Sequence, residues 1–134
     1  MASTPERVLL RSAPYFPVAD LAKAVAYYET TFGFRCEYTG GNPPQFAILS
    51  RDGLAIMLRL VAAATRLVPN EKQGGTWDAF FWVSDAQALY DELQARGAQL
   101  VYGPVIQAEY HMKEFAVRDV EGYVLGFGQE WQTV

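Results

Sequence analysis

The sequence predicts an α+β domain in which one strand–helix–three-strand module is used twice. Three echoes carry that expectation. Phe16-Pro17-Val18-Ala19-Asp20 is matched by Phe81-Trp82-Val83-Ser84-Asp85, an alternating strand pattern that ends on a helix-capping Asp in both places. Phe32-Gly33 corresponds to Arg96-Gly97, where a helical stripe stops at glycine. Asp52-Gly53-Leu54-Ala55-Ile56-Met57-Leu58 corresponds to Glu121-Gly122-Tyr123-Val124-Leu125-Gly126-Phe127, an acidic-glycine turn feeding an alternating strand. Caps, helix stops and final turns keep one order in both halves, as a duplication requires.

Taken in order, residues 1–11 read as a short arm around Val8-Leu9-Leu10, able to pair with a sheet edge or a second subunit. Pro14, Phe16 and Val18 alternate up to Asp20, and a helix of about Leu21–Thr31 follows, with Leu21, Val25, Tyr28 and Phe32 on one stripe. Strands are expected at Arg35–Tyr38, Phe46–Ser50 and Leu54–Leu60, separated by Gly40-Gly41-Asn42-Pro43-Pro44 and Arg51-Asp52-Gly53. Residues 61–76, with an Ala run, Pro69 and Gly74-Gly75, lack alternation and read as a linker. Ala79, Phe81 and Val83 then restart the pattern. A helix of about Ala86–Arg96 buries Ala86, Leu89, Tyr90 and Leu93, and strands are expected at Gln99–Tyr102, Tyr110–Arg118 and Tyr123–Phe127. Module one therefore spans about 13–60 and module two about 77–128 of a single domain covering 1–134.

The totals exclude several classes of function. With 11 Lys and Arg against 15 Asp and Glu, and no basic run, the chain offers no electrostatic footprint for nucleic acid. No apolar stretch approaches the roughly 20 residues of a membrane helix, and no signal segment opens the chain. Cys36 is alone, which removes an intrachain disulfide and a cysteine-built zinc site. A cytoplasmic protein without membrane or nucleic-acid partners is expected.

Alternation assigns the faces. Pro14, Phe16, Val18, Ala79, Phe81 and Val83 belong under the helices, as do Leu54, Ile56, Leu58, Tyr123, Leu125 and Phe127. The opposite faces then carry Ala13, Tyr15, Pro17, Ala55, Met57 and Arg59 in module one, and Asp78, Phe80, Trp82, Val124 and Gly126 in module two. Such an aromatic second face suits either a ligand cavity or a subunit seam. Met57 suits a gap-filler as well as a site, and Arg59 among apolar neighbours calls for an acidic partner, water or a ligand. His111, with Glu109 and Glu114 nearby, reads as polar surface rather than as a metal ligand. No nucleophile elbow and no phosphate-cradling loop occurs.

These residues resemble the glyoxalase, bleomycin-resistance and extradiol-dioxygenase superfamily, the vicinal oxygen chelate proteins, and are most similar to its bleomycin-resistance members. The likeness rests on Pro17-Val18-Ala19-Asp20-Leu21, Ala24, Tyr27-Tyr28, Phe32-Gly33-Phe34, Arg51-Asp52-Gly53, Trp82-Val83-Ser84-Asp85, Leu93-Gln94-Ala95-Arg96-Gly97, and Glu114-Phe115-Ala116-Val117-Arg118-Asp119 with Gly122. It implies paired βαβββ modules, curved mixed sheets with helices on the outer face and a concave cavity face, usually in a homodimer. It also implies that the positions delivering a divalent ion in the superfamily's enzymes fall on Ala13, Met57, Asp78 and Gly126. Three of these have no donor of the usual kind, so no metal, no cofactor and no metal-dependent catalytic residue is expected. The expectation is a metal-free protein that sequesters a small aromatic or cationic molecule, such as a bleomycin-like antibiotic. Tyr15, Met57, Arg59, Asp78, Phe80, Trp82, Tyr110 and Glu114 are its ligand-binding set, and Trp77 is a further stacking candidate. The alternative is a superfamily enzyme with a relocated metal, or a metal-free one using Glu114, Asp78 or His111 as general base.

Overall fold

The computed structural model describes residues 6–63 and 65–132. Two mixed sheets are built in the same way. Strand β1 (Tyr15–Val18) leads into helix α1 (Leu21–Thr30), followed by β2 (Arg35–Gly40), β3 (Phe46–Arg51) and β4 (Leu54–Leu60), in the sheet order β1-β4-β3-β2. Strand β5 (Ala79–Trp82), helix α2 (Ala86–Ala95), β6 (Gln99–Gln107), β7 (Met112–Arg118) and β8 (Val124–Glu130) give the order β5-β8-β7-β6. In each sheet the first strand lies parallel to the last, and the other pairs are antiparallel. This is the expected pair of βαβββ modules.

The local signals act as their chemistry requires. Asp20 and Asp85 accept hydrogen bonds from Lys23 N and Ala88 N, both at 3.0 Å, satisfying orphan donors at the two helix starts. Ala24 and Tyr28 on α1 and Leu93 on α2 are buried with Phe16, Val18, Leu49, Ile56, Leu58, Phe115, Leu125 and Phe127. Each fully buried large apolar side chain of this kind contributes about 2 kcal/mol. All these residues belong to one core, drawn from the helix-covered face of both sheets. Phe16 stacks on Tyr123 with ring centres 4.6 Å apart, and the Tyr123 hydroxyl donates to Pro17 O at 2.7 Å. The helix-covered faces therefore meet in the middle of the chain, and the two open faces point away from each other.

Strand ends differ from the expectation in module two. Strand β6 runs to Gln107 rather than stopping at Tyr102, because Gly103-Pro104 is absorbed by a bulge between Tyr102 and Val105 instead of making a turn. Strand β7 begins at Met112 rather than Tyr110, since residues 108–111 form the β6–β7 turn with His111 at φ 55°. Within the linker Asn70–Gln73 form a 3-10 turn, where Glu71 forms an ion pair with Arg118. In the N-terminal arm, Val8, Leu9 and Leu10 are exposed, and Arg11 makes a two-pronged contact with Glu37 on the edge strand β2 at 2.9 and 3.0 Å. The arm's first residues, 1–5, lie outside the described residues. No helix among the described residues is long and apolar enough to cross a membrane.

Candidate functional site

The open face of module two is built on glycine. Gly126 and Gly128 lie on β8 opposite Phe80 and Trp82 of β5 and opposite Ala116 and Glu114 of β7. A Cβ on Gly126 would stand 2.5 Å from Trp77 Cδ1 and 2.7 Å from Phe80 Cδ2, and one on Gly128 would stand 2.6 Å from Phe80 Cζ. The bare strand thus lets aromatic rings lie directly on the backbone. Trp77 and Phe80 meet at 4.7 Å and 61°, and Phe80 and Trp82 at 5.2 Å and 74°, a row of edge-to-face rings. Trp82, at 68 % exposure, is its open end.

Beside this row sits a buried acid. Glu114 alternates with the core residue Phe115, so it belongs to the open face, yet it is only 1 % exposed. Its Oε1 accepts the hydroxyls of Tyr110 at 2.6 Å and Tyr102 at 3.1 Å, and the Tyr102 oxygen in turn accepts Trp77 Nε1–H at 2.8 Å. Burial raises the Tyr102 phenol, while desolvation and the Glu114 carboxylate push Tyr110 up to about 12, so both remain protonated donors near neutrality. Oε2 has no hydrogen-bond partner among the described residues.

Asp78 serves the backbone. Its Oδ1 accepts from Asn70 N at 2.9 Å and its Oδ2 from Val124 N at 2.8 Å, while Asn70 Nδ2 donates to Trp77 O at 3.0 Å. The carboxylate therefore ties the linker to β8 and sets Trp77 over Gly126. The four positions that the resemblance assigns to a metal do not fit one. Ala13 and Gly126 have no donor atom, Met57 offers only a thioether, both Asp78 oxygens are engaged, and Trp77 fills the space above Gly126. Among the described residues no group of three His, Cys, Asp or Glu side chains is placed to hold a metal ion. His111 is exposed on its turn.

Module one presents a second, smaller aromatic face. Tyr15 pairs with Met57 across β1 and β4, the Tyr15 and Phe46 rings are 6.2 Å apart, and Tyr38 lies 6.3 Å from Phe46. The Arg59 guanidinium stands 5.9 Å from the centre of the Tyr15 ring, within cation–π range. The residues expected to bind ligand thus form two groups. Phe80, Trp82, Tyr110 and Glu114 gather with Asp78 on one open face, and Tyr15, Met57 and Arg59 on the other. One chain does not bring the groups together. Tyr102 joins the first group; a tyrosine closes the strand expected after the helix in each module, Tyr38 and Tyr102, and each follows a bulge at the same point of its strand. A separate cleft of about 590 Å³ lies between the modules and includes Phe34, Leu54, Phe81, Leu89 and Arg51. Trp82 is the one expected ligand-binding residue on its lining.

The chain is similar in fold to several solved structures. TioX from Micromonospora sp. ML1 superposes with a TM-score of 0.71 at 22 % identity, covering 88 % of this chain and 96 % of that one. TnmS3, an antibiotic binding protein from Streptomyces sp. CB03234, gives 0.64 at 24 % identity over 97 % and 98 % of the two chains. A glyoxalase/bleomycin resistance protein/dioxygenase from Nocardioides gives 0.68 at 16 % identity over 98 % and 89 %. No curated protein is significantly similar in sequence. The sequence model of one family matches residues 11–127, nearly the whole of both modules. With the βαβββ pair in place and that match spanning it, the chain belongs to the Glyoxalase/Bleomycin resistance protein/Dioxygenase superfamily.

Proposed function

We propose that the chain is a cytoplasmic, metal-free binding protein that works as a homodimer and sequesters a small aromatic or cationic molecule, of the kind of a bleomycin-like or other aromatic antibiotic. The observation that carries this reading is the Trp77–Phe80–Trp82 row packed on Gly126 and Gly128, which puts stacking surface where the family resemblance places a metal ligand. Stacking and cation–π contacts need no chemistry from the protein. The description of TnmS3 as an antibiotic binding protein supports the same class of function. Exposed aromatics on both open faces, Tyr15 and Tyr38 on one and Trp82 and Tyr110 on the other, favour a second copy that closes the faces over a ligand.

A thermal-shift and tryptophan-fluorescence screen with bleomycin and other aromatic antibiotics tests the reading. A ligand that binds only the folded state raises its stability, by about 2.7 kcal/mol at a hundred times its Kd. Trp82→Ala, at an exposed position, gives up its edge-to-face contact with Phe80 and should lower the unliganded melting temperature only slightly while weakening that shift. If no compound moves the transition or quenches fluorescence near the millimolar range of weak binding, sequestration is wrong. The enzyme reading draws on the buried Glu114 carboxylate as a base, and it requires that bound compound be recovered chemically changed. Recovery of intact compound supports binding alone.

A further inference from the structure

We infer that Glu114 Oε2 is the anchor for an N–H donor carried by the bound molecule, so that the ligand class is a flat aromatic cation bearing a protonated amine or ring N–H. This rests on the sequestration reading and gives its ligand a chemistry. Two O–H donors converge on Oε1, whereas Oε2 is enclosed and has no partner among the described residues. A glutamine would hold the same two hydroxyls without burying a charge. The carboxylate therefore has a cost that its structural role does not offset. Arg118, on the same face of β7, is taken by Glu71. A cation from outside the chain completes the site.

The surroundings fit such a guest. Trp77 is hydrogen-bonded into the Glu114 network through Tyr102 and is also the first ring of the aromatic row. A planar cation stacked on Phe80 and Trp82 would thus stand beside the carboxylate, receiving ring contact on one side and charge-assisted hydrogen bonding on the other. Tyr110, which donates to Oε1, is 47 % exposed on the β6–β7 turn and takes part in no strand pair, so its side chain can turn aside to admit a guest without breaking one.

Three acridines separate charge, donor and stacking: 9-aminoacridinium has charge and N–H groups, 10-methylacridinium has charge without N–H, and acridine at mildly alkaline pH has neither. The expected ranking on the wild-type protein, read by fluorescence titration, is 9-aminoacridinium about tenfold or more tighter than the other two. Glu114→Gln should abolish that preference while leaving acridine affinity within about threefold, its fold checked by circular dichroism. The wild-type ranking stands as a test even if the variant does not fold. Equal affinity for 9-aminoacridinium and 10-methylacridinium, or an equal loss for all three in Glu114→Gln, overturns the anchor. In those cases binding by all three still upholds sequestration. No binding by any of them overturns the anchor, and the antibiotic screen then decides sequestration separately.

Discussion

The Tyr28 hydroxyl donates to Asp119 Oδ2 at 2.6 Å across the seam between the modules, and both residues are buried. Asp119 Oδ1 also accepts from the N–H groups of Glu121 and Tyr123 at 2.9 and 2.8 Å, so one carboxylate shapes the β7–β8 turn and ties it to α1. Burial pushes this carboxyl up to about 6 in spite of those donors. The native state then keeps a proton that the unfolded chain has lost. The stability this proton contributes is complete below the ordinary value of 3.8 and is lost as pH rises through about 6. It amounts to at most about 3 kcal/mol.

Asp119→Asn keeps a carbonyl for the two backbone donors and removes the charge. Urea unfolding followed from about pH 4 to pH 7 should therefore show the wild-type decline flattened in the variant. An equal decline in both proteins would show that another group is responsible. Asp119→Ala, which strands two backbone donors and the Tyr28 hydroxyl, should cost about 3 kcal/mol near pH 4 and less as the pH rises through about 6, where the wild type loses its own stabilisation.

Arg51 makes another tie between the modules. It donates to Glu92 through two nitrogens at 2.8 and 2.6 Å and to Phe32 O at 2.9 Å, and Arg96 adds a bond to Glu92 at 3.0 Å. The hydrogen bond from Arg51 is the main cause holding the Glu92 carboxyl below its ordinary range, so this contribution is present above 4.5 and fades as pH falls. The pair is partly exposed, and solvent screening limits it to about 1 kcal/mol. A double-mutant cycle of Arg51→Ala and Glu92→Ala should return that coupling energy and should shrink in high salt. A coupling of zero at low salt would reduce the Arg51-Asp52-Gly53 stretch to a turn.

The bulge that brings Tyr102 to Glu114 depends on Gly103. This residue has φ 89°, and a Cβ there would collide with Glu114 O and stand 2.8 Å from Phe115 Cα. Both are backbone atoms of the neighbouring strand and cannot swing away. Gly103→Ala should cost about 2 kcal/mol or more, and should loosen the Tyr102 contact with the acid. Its readout is a lowered midpoint in urea together with a loss of acridine discrimination. A variant as stable as wild type would mean that β6 can repair its register without the glycine.

Periodicity made the fold legible because each module buries one face against its own helix, and alternation marks that face without ambiguity. Phe16, Val18, Ile56, Leu58, Leu125 and Phe127 all lie where alternation puts them. The site was less legible for two physical reasons. Gly103-Pro104 reads as the end of a strand, and only the ladder with β7 shows it to be a bulge that carries Tyr102 onto Glu114. Asp78 reads as a spare carboxylate at a ligand position, whereas both its oxygens are taken by amides of Asn70 and Val124, partners distant enough in sequence to leave no local signal. That the two aromatic faces diverge within one chain follows from how the helix-covered faces share a core, which strand patterns do not encode.

Gly126 is one of the three metal positions without a usual donor, and its surroundings resist one being placed there. Gly126→His supplies the imidazole that the position lacks, but its Cβ would stand 2.5 Å from Trp77 Cδ1 and 2.6 Å from Trp77 Nε1, and that indole is fixed by its bond to Tyr102. The ring cannot retreat without breaking the relay to Glu114. Gly126→Ala alone should lower stability by about 2 kcal/mol, and Gly126→His by more, with no gain in affinity for Ni or Zn in a calorimetric titration. Shortening the obstacle in the pair Gly126→Ala with Trp77→Ala should cost less than the two single changes summed, since one truncation relieves the clash created by the other. Additive losses would show that the crowding over Gly126 is not what excludes a side chain there.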